Sequence, residues 1–168
     1  DEYIAENVYL NIINMATHYV YLFTPYLIID NELMTALCLA SGRGVDVRIM
    51  TPGIPDKKIV FHATQSCYRQ LIEAGVRIYE FAPGFLHAKC SVCDDKIATV
   101  GTVNLDYRSL YLNFECGVYL YGSSAVTAIK NDFLDTLEQC VCIDSEAIRH
   151  KLPVRIAQSI LRLFAPML

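Results

Sequence analysis

The chain has no excess of positive charge. Its 168 residues carry 14 lysines and arginines against 18 aspartates and glutamates, a net charge of −4. That balance disfavours general nucleic-acid binding, which needs a basic field. No uninterrupted apolar run approaches the roughly 18 residues of a membrane-spanning helix, and no secretory signal is read at the start. A soluble chain without a transmembrane segment is expected. A disulfide framework is missing too: seven cysteines are an odd number, and their spacing fits no staple pattern in a chain this long. They read as reduced thiols. Internal repeats, low-complexity tracts and linkers are also lacking.

What is present is apolar. The hydrophobic fraction is 54%, above the soluble average of about 45–50%, which leaves apolar surface for a partner domain or a membrane. The length suits one domain over residues 1–168 with a good core. Helical periodicity predicts an amphipathic helix over 2–17, then a strand at His18–Phe23 closed by Thr24-Pro25. Asp30 or Asn31 opens a helix to about Ala40, followed by a strand at Val45–Met50, a loop over 51–58 and a helix from Lys58 to Ala74. Strand, hairpin and strand follow at 76–81, 86–100 and 113–121. Ser123 or Ser124 then caps a helix to about Cys140, and a last helix covers Val154–Phe164. Alternation of this kind predicts an α/β fold: a mixed, mostly parallel central sheet with helices on both faces.

The chemistry concentrates in one run, Gly84-Phe85-Leu86-His87-Ala88-Lys89, and its continuation Asp94-Asp95-Lys96 to Gly101-Thr102-Val103-Asn104. A histidine and a lysine two residues apart occupy an apolar strand, where neither is needed for packing. Thr102 and Asn104 repeat the spacing after a strand–turn–strand. Strand side chains alternate between faces, so each pair shares one face, and a hairpin through the 94–96 turn would converge all four. Imidazole is a good nucleophile toward a phosphodiester, and a lysine offsets the charge developing on phosphoryl oxygens. Asn104 and Thr102 would add hydrogen bonds to the substrate phosphate. The scheme needs no cofactor and no metal. Cys90-x-x-Cys93 points to opposite faces of a strand, and the Cys140/Cys142 pair has no histidine or carboxylate cluster beside it.

The spacing His87-x-Lys89, Asp94, Gly101-Thr102-x-Asn104 resembles the HKD signature of the phospholipase D superfamily. Further stretches narrow the resemblance to the C-terminal half of bacterial cardiolipin synthases. Among them are Thr24-Pro25-Tyr26, Gly44–Met50, Ala74–Phe81, Asn104-Leu105-Asp106-Tyr107-Arg108-Ser109, Leu112-Asn113-Phe114-Glu115 and the terminal Leu163–Leu168. The resemblance implies a catalytic set of His87, Lys89 and Asp94. It also implies phosphatidyl transfer through a phosphohistidine, making cardiolipin from two phosphatidylglycerol molecules, with His87 as general acid and then base if the first-half histidine is the nucleophile. One motif is present where the family uses two, so the chain reads as one half of a site. It would be completed by an N-terminal half or by a second copy as a homodimer. The full-length protein would work as a peripheral partner of the cytoplasmic face of the cell membrane. Two alternatives stand beside this: a single-motif phosphodiesterase or nuclease acting as a homodimer, and an isolated fragment that folds without turnover.

Individual residues refine the picture. Seven residues of straight strand put Asp94 roughly 23 Å from His87, so it is expected to shape the turn rather than orient the imidazole. Glu115, a carboxylate on an otherwise apolar strand, is by resemblance the group that holds the histidine's other ring nitrogen. Asp106, Arg108 and Ser109 are expected to brace the Asn104 loop, and Tyr26 to be a rim or packing residue. His62 is expected to pack; His18 and His150 are expected in solvent. From Lys151 a basic amphipathic segment suits either its own domain or an anionic bilayer.

Overall fold

The computed structural model describes residues 3–146 together with residue 161. Apolar spacing builds the first helix, α1 (Ile4–Met15), which buries Tyr9, Ile12 and Ile13 on one face. Strand β1 (Tyr19–Phe23) follows, then the two-residue β2 (Leu27–Ile28) and α2 (Asn31–Gly42), capped by the Asp30 carboxylate accepting from the Leu33 amide at 2.8 Å. Next come β3 (Asp46–Pro52), α3 (Lys58–Glu73) and β4 (Arg77–Phe81). The hairpin strands are β5 (Cys90–Cys93) and β6 (Ile97–Gly101), followed by β7 (Leu105–Asp106) and α4 (Tyr107–Tyr111). The described chain finishes with β8 (Gly117–Tyr121), α5 (Ser124–Leu137) and β9 (Cys140–Ile143).

Seven strands form one sheet in the order β8-β6-β5-β1-β3-β4-β9, and β2 pairs with β7 apart from it. Strand β1 shows why the sheet carries helices on both faces. Val20 and Leu22 join the cluster formed with α1, α2 and α3, whereas Tyr19, Tyr21 and Phe23 join the one under α5. In that second cluster Phe133 of α5 is fully buried, its ring centroid 4.8 Å from those of both Tyr21 and Phe23. Burial of one such ring stabilises the fold by about 3 kcal/mol.

The expected α/β sandwich with a mixed sheet is present, but the balance of strand directions differs. Only β1–β3 and β3–β4 are parallel, whereas β1–β5, β5–β6, β6–β8 and β4–β9 are antiparallel. The hairpin reverses the chain beside β1, and the final strand returns against β4. Boundaries shift as well. Strand β3 runs on through Thr51 and Pro52, α5 stops at Leu137 short of the expected Cys140, and Cys140–Ile143 is a further strand that the sequence reading did not include. Residues 86–89 and 113–116, predicted as strand, belong to no strand. Cys38, Cys90, Cys93, Cys116, Cys140 and Cys142 are free thiols. Cys93 belongs to one core cluster and Cys90 packs on the other, so the pair does point to opposite faces. The Val154–Phe164 helix and the amphipathic segment from Lys151 lie, apart from Leu161, outside the described residues, as does His150.

Candidate active site

The site begins where β1 ends. Phe23 pairs with Cys90, and then Thr24-Pro25 turns the chain away toward β2. Pro25 has no N–H, and the Thr24 amide already donates to the Met50 carbonyl at 3.0 Å. Nothing on the β1 side therefore extends the ladder beside residues 86–89. His87 is left exposed and Lys89 half-buried at the open end of the sheet. On the other side the pairing runs one residue further, with the Gly101 amide donating to the Lys89 carbonyl at 3.2 Å.

Lys89 folds back along its own segment, and its Nζ donates to the His87 carbonyl oxygen at 2.8 Å. The ammonium has two more protons to give. Burial lowers the pKa of Lys89, and the nearby charges of Glu115 and Asp106 only partly restore it. The His87 ring lies 5.4 Å from the Phe85 ring, which is 6.4 Å from that of Tyr26. The Tyr26 hydroxyl donates to Asp56 at 2.6 Å. Partial burial, followed by the Asp56 carboxylate, raises that phenol to about 12.

A hydrogen-bonded cluster faces Lys89 from the β6–β8 side. The Thr102 hydroxyl donates to Glu115 Oε2 and accepts the Cys116 amide at 3.0 Å. The Ser109 hydroxyl donates to Glu115 Oε1 at 2.9 Å, and Asn113 adds a bond to the same oxygen at 3.4 Å. Asn104 Nδ2 in turn donates to Ser109 Oγ at 3.2 Å. Asp106 caps α4 by accepting the Ser109 amide at 2.8 Å. Burial pushes the Glu115 carboxyl up, but the bonds from Thr102, Ser109 and Asn113, with Lys89 beside them, outweigh it and hold the group below its usual value. Asp106 is more deeply buried and ends above its ordinary value, for burial there exceeds the help of Ser109 and Asn104.

Several expected roles meet a different geometry. Glu115, expected on a strand with its carboxylate on the histidine ring, lies in the extended segment before β8. Its hydrogen-bond partners are Thr102, Ser109 and Asn113. Thr102 and Asn104, expected as donors to phosphate, give their protons to Glu115 and Ser109. Asn104 Oδ1 is buried with no partner among the described residues. The hairpin alone does not superpose the two polar pairs. Its register sets Lys89 opposite Gly101 and would place Ala88 opposite Thr102 on the other face; Glu115 holds the Thr102 hydroxyl and acts on Lys89 through its charge.

Asp94 stands at the far turn. Its two oxygens accept from the Thr17 amide and hydroxyl at 2.7 Å each, the His18 amide at 2.9 Å and the Tyr19 amide at 2.7 Å. Asp94 and Asp95 adopt left-handed φ values of 49° and 57°, a conformation that aspartate tolerates better than most residues. His62, expected to pack, is exposed on α3, and His18 is exposed as well. Phe85, Asn113 and Asp56 were not singled out from the sequence. Phe85 was legible as the aromatic two positions before His87 in an extended run; the other two are set by loop geometry.

Among the described residues, one group has ligand atoms close enough for a metal ion: Glu6, Asp30 and Glu32, all within 4.8 Å of one another. It includes no residue of the His87 site, and the Tyr111 hydroxyl is bonded to Asp30. On the β8 edge, a groove of about 550 Å³ runs between α1 and the last strands, lined in part by Tyr3, Val8, Val100, Phe114 and Glu115. Phe114 is fully exposed, and Val118 and Tyr121 are 56% and 73% exposed.

The comparisons with known proteins converge. Residues 9–137 match the family described as cardiolipin synthase, PLD-like domain. An uncharacterized protein of Streptococcus mutans is 48% identical over 168 residues, covering 99% of this chain and 36% of its own length. A cardiolipin synthase of a Geobacillus species is 40% identical, covering 98% of this chain and 33% of its own length. The chain thus spans about a third of the relatives it matches. Among solved structures, the phospholipase D family member Nuc from Salmonella typhimurium superposes with a TM-score of 0.74 at 19% identity, over 84% of this chain and 91% of that one. The phosphatidylserine synthase of Haemophilus influenzae gives 0.71 at 17% identity, over 96% and 42%.

Proposed function

Because the chain belongs to the family of phospholipase D-like domains found in cardiolipin synthases, we propose that it is one half of a phosphatidyltransferase site that joins two phosphatidylglycerol molecules. The observation that carries this reading is the Lys89 ammonium tied to the His87 backbone at the open end of the sheet, with the Glu115 cluster on its flank. In the proposed reaction an imidazole nitrogen attacks the phosphorus of one phosphatidylglycerol. A P–N bond forms, and the P–O bond to the headgroup glycerol breaks. The leaving oxygen takes a proton from the histidine of the other half. The hydroxyl of a second phosphatidylglycerol then attacks the phosphorus and gives its proton back to that histidine. The P–N bond breaks, leaving cardiolipin and glycerol. His87 takes the acid–base role and Lys89 carries the charge of the transferring phosphoryl group. Thr102, Asn104 and Glu115 act as a preorganised wall for that pair, and Asp94 belongs to the frame. The exposed apolar edge at β8 supports docking of a second domain.

A second reading draws on the match to Nuc, which covers 91% of that chain and so shows a neighbour of about this size. Two copies of the present chain would then share one site and cleave phosphodiesters. One experiment separates the readings. The chain is mixed with the corresponding N-terminal half, and labelled phosphatidylglycerol is followed on thin-layer plates beside the chain alone and a His87→Ala variant. Cardiolipin formed only by the mixture, and lost in His87→Ala, supports the transferase. Activity of the chain alone, as a dimer by light scattering, supports the second reading. Turnover by the mixture that survives His87→Ala refutes both.

A further inference from the structure

The C-terminal ends of β1, β3 and β4 open on the same side of the sheet, and the loop between β3 and α3 rises there. Ile54 is 52% exposed and Ile59 61% exposed. Lys57 and Lys58, between them, are exposed. Asp56, the acid in this stretch, is held by the Tyr26 hydroxyl at 2.6 Å, which pins the loop to the rim of the site. From Tyr26 the contact passes through Phe85, itself 38% exposed, to His87. Three apolar side chains and two lysines therefore edge one mouth. Helix α3 begins there with no side-chain cap and no acid in its first turn, so its amide ends add to the positive field of Lys57 and Lys58.

We propose that Ile54, Lys57, Lys58, Ile59 and Phe85 form a membrane-docking surface for a bilayer carrying anionic phospholipid headgroups. Apolar tips flanked by lysines match the boundary between acyl chains and negative headgroups. In a chain of net charge −4, whole-molecule attraction does not supply that match; the local pair does. The placement rests on the lipid-substrate reading above and deepens it: a docked mouth receives its substrate from the bilayer plane, without extraction of the acyl chains.

The test is flotation of the chain with vesicles of phosphatidylcholine alone or of phosphatidylcholine mixed with phosphatidylglycerol. The variants are Ile54→Ser with Ile59→Ser, and Lys57→Ala with Lys58→Ala; all four positions are exposed, and thermal melts check that each variant folds. The expected result is flotation with the phosphatidylglycerol vesicles, weakened by salt, and a partition roughly 30-fold weaker in the lysine pair, from about 1 kcal/mol per lysine at an anionic surface. The isoleucine pair should lose binding at low and high salt alike, because its contribution is not electrostatic. Flotation equal to wild type in both paired variants overturns the proposal, as does no flotation of the wild-type chain. The outcomes stay distinct from those for catalysis. His87→Ala should float as wild type, and transfer by mixed halves in detergent micelles without flotation would sink the surface while sparing the reaction.

Discussion

The aspartate that completes the motif spelling should act on stability, and Asp94→Asn tests this. Asparagine tolerates the left-handed φ of 49° at this position, so the turn is preserved. One oxygen of the acid remains and can keep two of the four bonds; the amide nitrogen then faces donors. Bonds to a charged group contribute about 1.5–3 kcal/mol each, but Thr17 and His18 are exposed and water replaces part of the loss. The expected net cost is about 2 kcal/mol, a fall in Tm of roughly 4–8 °C for a domain of this length. The sign with pH follows from the shift. Burial pushes the Asp94 carboxyl up, yet the bonds from Tyr19, Thr17 and His18 leave it below its ordinary value. Its contribution is therefore present above the unfolded value of about 4 and lost as pH falls through the lowered folded one. Thermal melts of wild type and variant should differ at neutral pH and converge in acid. An unchanged Tm with abolished phosphatidyl transfer in the reconstituted halves would refute the reasoning, because it would tie Asp94 to the chemistry.

Glu115→Gln should reduce transfer by mixed halves about 10- to 100-fold while leaving the fold intact, since the Thr102 and Ser109 hydroxyls lose a charged acceptor beside Lys89; wild-type turnover would remove Glu115 from the site. Burial holds Lys89 below the ordinary lysine value, so its cation is lost as pH rises through that lowered value. Inhibition by inorganic phosphate should weaken on the alkaline side with a midpoint below about 10.4, and a midpoint at or above it would contradict the desolvation argument. Gly101→Ala should strip β8 from the sheet, because the new methyl would meet the Cys116 carbonyl and lie 2.6 Å from the Gly117 Cα, both backbone. A loss of about 2 kcal/mol or more is expected in a denaturant titration, and a variant of unchanged midpoint would show that the strands can part freely there.

How far the sequence reached depends on the range of the interaction that decides each element. Helices α1, α2 and α3 were legible because their apolar spacing is local, as is the Asp30 cap of α2. Strands β2 and β7 were not, since each is two residues long and exists only through pairing of Leu27 with Leu105 and Ile28 with Asp106. The helix from Ser123 or Ser124 was read to about Cys140, and the strand Cys140–Ile143 was not read at all; the Gln139 amide closes that helix onto Thr136 at 3.0 Å, and β4 supplies a sheet edge. Strand direction was beyond reach for the same reason. In the site, residue identities came from a local pattern and their partners did not. That His87 and Lys89 belong together was legible from two positions; that Glu115 answers to Ser109 and Asn113 required the turn at α4.

Thr24 is wholly buried, and its one hydroxyl donates to the Tyr26 carbonyl at 2.6 Å while accepting the Leu105 amide at 3.0 Å. The segment that carries the aromatic rim and the segment that carries Asn104 thus share one buried oxygen beside the β2–β7 pairing that also joins them. Such a hinge pin makes the two arms of the cleft one mechanical unit: an alteration that shifts either arm is transmitted to the other. Valine in its place would keep the branched shape of the side chain but take away both bonds at once, leaving the two arms joined only by the short β2–β7 pairing.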